Sequence, residues 1–360
     1  MNIALIIPVL DLGGAETMCE NLAYSLDKLG HKVIVISLYS KQTPIASRLI
    51  EKGIQVKFLK KKQGLDLSLF FRLAALLKKE RVNVIHTHIY AIKYGVFAAM
   101  LSGVKIRIHT VHNVAEKEAG KAARLLNNYF FKRCGVIPVA LSELIRESIV
   151  KEYGIKMEKI PVVFNGIDLS NCIPKTEYGN DSEFIILNIA RFSQQKNHKG
   201  LIEVFEKFNK THPNSRLWLI GEGSLKDSIR KQVKEAQLEN KVEFIGVQSN
   251  VYPFLNKADI FVLPSKYEGV PMTIIEAMGT GLPIIASDVG GIPDMLENNF
   301  SAILTAVDST ETEIALEHIY YDQILRERLG KNARIQSNRF SSTVMGKKYL
   351  EIYQGTSKIC

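Results

Sequence analysis

The feature that most constrains this chain is an alternation that runs its length twice. Short β-branched runs at residues 3–8, 33–37, 55–58, 84–86, 106–110, 137–140 and 161–164 are separated by amphipathic stretches such as 16–29, 67–79 and 123–131. The runs are apolar almost without interruption, as strands of a parallel sheet covered on both faces must be. Strand alternating with helix then means a doubly wound α/β domain. A polar stretch at 171–183, holding Pro174, Gly179, Asn180, Asp181 and Ser182, has linker composition. The pattern then restarts with strands at 184–189, 216–220, 242–245, 260–263 and 283–286, and helices from Lys199 and Leu225. The expected organisation is a first Rossmann-like domain over 1–170, a linker over 171–183 and a second over 184–340. A closing helix within 341–360 could return to the first domain. The two α/β domains are expected to face each other across a cleft, with ligands at the carboxyl ends of the strands.

A length of 360 residues suits two such domains and allows a core without disulfides. Hydrophobic residues at 46% and charged residues at 23% exclude a disordered or low-complexity chain. No apolar run approaches the roughly 20 residues of a membrane helix. The apolar opening is followed by Asp11 and Glu16 and reads as a strand, so a cytoplasmic protein is expected. Cys19, Cys134, Cys172 and Cys360 have no metal or disulfide spacing and read as reduced thiols. The net charge of +10 is uneven: residues 1–175 carry 26 Lys and Arg against 14 Asp and Glu, a balance of +12, and the remainder carries −2. A basic half points to an anionic partner or to a solvated surface kept for solubility.

The loops after strands hold the candidate chemistry. Gly13-Gly14-Ala-Glu16 can bring backbone close to an anion at a helix start, or can be a tight turn. His86, His88, His109 and His112 fall at strand ends without a carboxylate or cysteine at metal spacing; His112 lies just past its strand and suits a polar role there or a structural one. Asn165-Gly166-Ile-Asp168 is a turn at the last strand of the first half. Arg191 and Lys196, after the first strand of the second half, are placed to neutralise a diphosphate or to sit in a solvated loop. Gly221-Glu-Gly223 is a weaker signal of the same kind. Trp218 reads as core.

The richest segment is 258–278. A strand ends near Pro264, a loop carries Glu268 and Gly269, and Pro271 suits the first position of a helix. Glu276 then falls in the second helical turn. Free N–H groups around Gly269 and Val270 would form an anion site. Carboxylates beside hydroxyls and cations beside phosphates together describe a nucleotide-sugar site. Two basic segments remain. Residues 116–133 could rest on an anionic membrane or pack their aromatic face into the domain. Lys60-Lys61-Lys62 reads as a solvated turn that could also join a basic patch.

These residues resemble the retaining nucleotide-sugar glycosyltransferases of family 4, with the two-domain GT-B fold. The resemblance covers nearly the whole chain. Its most specific parts are Ser-Lys-Tyr-Glu268-Gly-Val-Pro-Met-Thr-Ile-Ile-Glu276-Ala-Met and the continuation from Gly281 through Gly291-Ile-Pro. The resemblance implies that Arg191 and Lys196 bind the donor diphosphate in place of a metal ion, and that Glu276 holds the ribose. It implies that Glu268 and His112 contact the donor sugar at the reacting centre, with Gly269 and Val270 amides nearby. It places Gly14 and Asn165 around the donor and assigns base recognition to backbone near Val247 or Gln248. It implies no cofactor and no metal, and closure of both domains over the donor through a hinge near 165–183. The expected partners are a nucleotide-sugar donor, a glycan or lipid-linked glycan acceptor and an anionic membrane surface, with no nucleic acid. The setting that the resemblance and the basic first half lead one to expect is bacterial capsule or exopolysaccharide assembly. An epimerase of the same fold and a non-catalytic nucleotide-sugar binder are the alternatives. A nicotinamide oxidoreductase would need G-x-G-x-x-G, which the first loop lacks.

Overall fold

The computed structural model describes residues 1–39, 43–179 and 183–355; Cys360 and the Asn180–Ser182 part of the expected linker lie outside them. The chain divides into two compact units, Met1–Ile167 with the segment from Ser341 onward, and Asp168–Phe340.

In the first unit the chain runs β1 (Asn2–Ile7), α1 (Gly14–Lys28), β2 (Lys32–Ser37), α2 (Pro44–Glu51), β3 (Gln55–Phe58), α3 (Leu67–Lys79), β4 (Val84–His88), α4 (Ile92–Ser102), β5 (Ile106–Val111), α5 (Ala115–Glu118), α6 (Lys121–Arg133), β6 (Val136–Ala140) and α7 (Glu143–Tyr153). The strands pair in parallel in the order β3-β2-β1-β4-β5-β6. Their two-residue period sorts the core into two layers. Ile3, Leu5, Val33 and Val35 pack with α1 and α2, whereas Ala4, Ile6, Ile34 and Ile36 pack with α3 and α4. Each such valine, leucine or isoleucine contributes about 1.5–3 kcal/mol when fully buried. The order reverses between β1 and β4, the switch point at which such sheets hold ligands.

In the second unit the chain runs β7 (Phe184–Ile189), α8 (His198–Thr211), β8 (Ser215–Ile220), α9 (Lys226–Glu235), β9 (Val242–Gly246), α10 (Tyr252–Lys257), β10 (Ile260–Leu263), α11 (Met272–Thr280), β11 (Ile284–Ser287), β12 (Ile303–Thr305), α12 (Ser309–Tyr321) and α13 (Gln323–Ser337). The order β12-β11-β10-β7-β8-β9 repeats the first sheet's topology, so both units are Rossmann-like. The chain ends on α14 (Ser342–Gln354), which lays Tyr349 and Tyr353 into the first unit's core beside α1.

Three expectations need correction. Residues 161–164 form no strand. Pro161 has no N–H to give a ladder, and one isolated bridge joins Ala140 to Val162. Residues 171–179 are not free linker, because Lys175 N–H donates to Thr280 O at 2.8 Å and the Tyr178 hydroxyl donates to Gly281 O at 2.8 Å. Arg326, buried beneath, donates to Tyr178 O at 3.0 Å. Pro271 is the cap of α11, one residue before its first position.

Candidate active site

In the second unit two loops meet at neighbouring strands, since β7 and β10 pair directly. The loop after β7 carries Arg191 to Lys196 and leads into α8; the loop after β10 carries Lys266 to Pro271 and leads into α11. Lys266 N–H donates to Gln195 O at 2.8 Å, and Gln195 Nε2 donates to Tyr267 O at 2.9 Å. Lys196 Nζ donates to Glu268 Oε1 at 2.6 Å, with both side chains largely covered. A charge-assisted bond in this setting is strong, and removing either partner leaves a buried charge uncompensated. The lysine expected to meet a diphosphate is thus first engaged by the acid expected to meet a sugar.

Glycine is required at two points around this pair. Gly290 has φ +62°, and a Cβ there would stand 1.9 Å from Glu268 O, while Gly291 N–H donates to the same oxygen at 3.2 Å. Gly221 has φ +144°, and its Cβ would meet Ala190 O at 2.1 Å. That close crossing, with Phe192 N–H donating to Glu222 O at 3.0 Å, fixes the loop on which Arg191 is exposed. Gly221 N–H donates to Gly246 O at 3.0 Å, which holds the following turn, exposed Val247 and half-buried Gln248, beside this loop. Gln248 Nε2 donates to Ile245 O at 3.3 Å.

Glu276 lies in the second turn of α11. Burial pushes its carboxyl up to about 7, and it has no hydrogen-bond or ion-pair partner among the described residues. Glu276 is half-buried, and a carboxyl set among apolar neighbours without a protein donor is open to a donor from a ligand. The buried hydroxyls of Ser265 and Ser287 are likewise unpartnered near the ends of β10 and β11. No side chain caps α11, so Gly269 and buried Val270 approach a helix start open to an anion.

The first unit holds the remaining candidates and is organised differently. Gly14 opens α1 and Gly13 caps it; the Glu16 carboxylate lies against Gly13, so the close approach falls one residue before the expected glycine. Burial raises the Glu16 carboxyl. Asn165 is buried near the point where Ser342 N–H donates to Ile167 O at 2.7 Å. The four strand-end histidines form a neutral network, each held below its ordinary value by burial. His86 bonds the Tyr353 hydroxyl and the Thr110 hydroxyl, each at 2.7 Å, and Thr110 bonds Tyr349 at 2.7 Å. His112, pushed down to about 4, bonds His88 at 3.1 Å.

Two residues escaped sequence reasoning. Glu118 accepts from His112 N–H at 3.3 Å, and burial pushes it up to about 7; nothing in the sequence separates it from the neighbouring Glu116. Lys61, expected in a solvated turn, is buried, with Nζ donating to Lys62 O at 2.7 Å and Gly64 O at 2.6 Å beside the Tyr39 and Tyr94 rings. Cys19, Cys134 and Cys172 are free and buried.

Comparison with known proteins agrees along both units. Residues 12–171 match the Glycosyltransferase Family 4 model and residues 174–336 match the Glycosyl transferases group 1 model. An Escherichia coli protein, UDP-Gal:alpha-D-GlcNAc-diphosphoundecaprenol alpha-1,3-galactosyltransferase, is 30% identical over 75% of this chain and 74% of its own. The N-acetyl-alpha-D-glucosaminyl L-malate synthase of Bacillus anthracis is 28% identical over 80% of this chain and 78% of its own. Among solved structures, Anabaena HepE in complex with UDP-glucose superposes with a TM-score of 0.86 at 19% identity, covering 99% of this chain and all of that one. With both domains matched in order, the chain belongs to the family 4, group 1 glycosyltransferases and is an enzyme of the GT-B fold.

Proposed function

We propose that this enzyme moves a hexosyl group from a UDP-sugar to a lipid-diphosphate-linked glycan, with retention at the anomeric carbon and without a metal ion, in surface-glycan synthesis. The observation that carries the reading is Glu276, a half-buried carboxyl with no protein donor among the described residues, in the unit where Arg191 is exposed and Lys196 meets Glu268. Ribose hydroxyls would supply the missing donors. Arg191 and the remaining Lys196 hydrogens would hold the diphosphate and stabilise its charge as it departs. Glu268, fixed by Lys196 and Gly290, would orient the sugar hydroxyls. His112 is neutral at working pH and would give or take a hydrogen bond without carrying charge.

In the transfer, the bond from the anomeric carbon to the diphosphate oxygen breaks and a bond to the acceptor oxygen forms on the same face. The acceptor proton passes to the departing phosphate oxygen, so no side chain needs to act as nucleophile. The Escherichia coli and Campylobacter jejuni relatives named for diphosphoundecaprenol-linked substrates support the lipid-linked acceptor. The test is transfer of labelled sugar from UDP-glucose, UDP-galactose and their N-acetyl forms to polyprenyl-diphosphate saccharides in EDTA. Label in the lipid fraction with α-linkage supports the reading. Transfer that requires a divalent ion, or an inverted product, contradicts it.

A further inference from the structure

We infer that Glu118 is a positioning residue for the transfer: its carboxylate clamps the turn between β5 and α5 and so holds His112 in place for the donor sugar. The inference rests on the reading that His112 meets that sugar. The N–H groups of the turn are satisfied by side chains. Asn113 Oδ1 accepts from Val114 N–H at 2.9 Å, and Ser148 Oγ on α7 accepts from the N–H of buried Ala115 at 2.9 Å. Glu118 Oε1 accepts from His112 N–H at 3.3 Å, and the Asn113 N–H also favours its charged form. The short α5, in which the Lys117 and Glu118 N–H groups donate to Val114 O at 2.8 and 3.0 Å, turns Glu118 back over the residues that precede it. The His112 ring is tied separately: Nε2 bonds His88 Nδ1 at 3.1 Å, at the end of neighbouring β4. Its Nδ1 has no partner among the described residues and is the nitrogen left for a ligand.

An acid is the costly way to build this turn. A neutral acceptor satisfies an N–H group equally, as Asn113 and Ser148 do here, whereas a carboxylate under cover loses its solvation. What the carboxylate adds is strength, since an N–H bond to a charged acceptor is about twice as strong as one to a neutral acceptor. Burial pushes Glu118 up to about 7, so the turn passes from weakly to strongly held as pH rises through that value. The groups that face the carboxyl are Tyr153 of α7, raised by burial, and Arg124 of α6, which pairs with Glu152 at 3.3 Å. His88, His109 and His112 are held neutral by burial. On its own helix Glu116 and Lys117 are exposed, and Glu116 lies 3.9 Å from Lys151. A firmer turn matters most where geometry sets the rate, because a misplacement of about 1 Å at a reacting centre costs roughly a hundredfold.

The experiment measures transfer at saturating donor between pH 6 and 8, with the UDP-sugars and polyprenyl-diphosphate saccharides named above, in the parent, Glu118→Gln, His112→Ala and the double variant. About a tenth of a group titrating near 7 is charged at pH 6, so kcat of the parent should fall about tenfold from pH 8 to pH 6. Glu118→Gln should stay near the parent's pH 6 rate at every pH, with its donor KM within about twofold of the parent's. In the His112→Ala background the same change should cost nothing more. The melting temperature at pH 8 should not fall, because the amide replaces a covered charge, while hydrogen exchange at residues 112–113 should quicken. Glu116→Gln should match the parent throughout. A Glu118→Gln enzyme with the parent's kcat and pH profile, an added loss in the His112→Ala background, or kcat and melting temperature falling together would overturn the inference. A defect in His112→Ala without one in Glu118→Gln overturns the inference alone; His112→Ala as active as the parent overturns the reading of His112 and the inference with it. If the parent transfers no sugar, the proposed function fails and exchange decides the clamp: quicker exchange at residues 112–113 in Glu118→Gln supports it, and unchanged exchange overturns it.

Discussion

The two units repeat one topology and fill their carboxyl edges in opposite ways. In the first, the buried groups under the last helix are bonded to one another, in the chain Tyr353–His86–Thr110–Tyr349, while His88 and His109 each keep one buried ring nitrogen without a partner among the described residues. In the second, the edge keeps an ion pair and a carboxyl with no partner. A satisfied neutral network stabilises and specifies packing. A charged, incompletely satisfied edge costs stability and is ready for a ligand. The same fold thus uses one edge to anchor its last helix and the other to await a substrate.

The sharpest way to break this contrast is at the ion pair. Lys196→Ala should cost about 3–5 kcal/mol, since it strands the Glu268 carboxylate. It should also lower kcat/KM by about a hundredfold or more. Lys196→Met with Glu268→Leu should recover most of the melting temperature and none of the transfer. If that pair of changes restored activity, the charges would be structural only. Next in size, Gly290→Ala should lower kcat/KM and the melting temperature together, because a Cβ at that position displaces Glu268 O. Chemical denaturation and initial rates on one preparation check both.

Glu276→Gln separates ligand readiness from stability. The folded carboxyl titrates near 7 instead of its ordinary 4.5, so the native state holds a proton the unfolded chain has lost between those values. Its contribution to stability therefore falls as pH rises through that window, and the full penalty stands above it. At pH 8 the ligand-free Gln variant should melt about 2–4 °C higher than the parent and lose the shift that UDP induces. The smallest effect belongs to the first unit. Tyr353→Phe removes one buried bond to His86 and should cost about 1 kcal/mol, with UDP binding unchanged.

The alternation of strand and helix was legible because parallel strands are short and apolar throughout: 55–58, 184–189 and 260–263 match β3, β7 and β10 to the residue. The helices at 309–321 and 323–337 were not read, nor was β12, which is three residues long. In the site, spacing alone placed Glu268 in a loop and Glu276 in the second helical turn. It could not show that Lys196 meets Glu268, 72 residues away, because that contact depends on β7 and β10 being neighbours. Lys61 reads as solvated until Tyr39 and Tyr94 are brought around it. On α6 the aromatic residues divide, with Phe130 buried and Tyr129 outside, a distinction that helical spacing with basic neighbours leaves open.

The central claim, that the second unit's unpartnered carboxyl receives a nucleotide sugar, is tested most directly by calorimetric titration of UDP-glucose between pH 5.5 and 8.5 in EDTA, on the parent and Glu276→Gln. UDP-glucose has no titrating group of its own in this range. His112 is already neutral there, and Glu118, also pushed up to about 7, is common to both proteins, so the difference between their slopes belongs to Glu276. The account predicts affinity that rises with pH through about 7 in the parent and a weaker affinity with a smaller rise in the variant. Equal affinity and the same pH dependence in both proteins would contradict it.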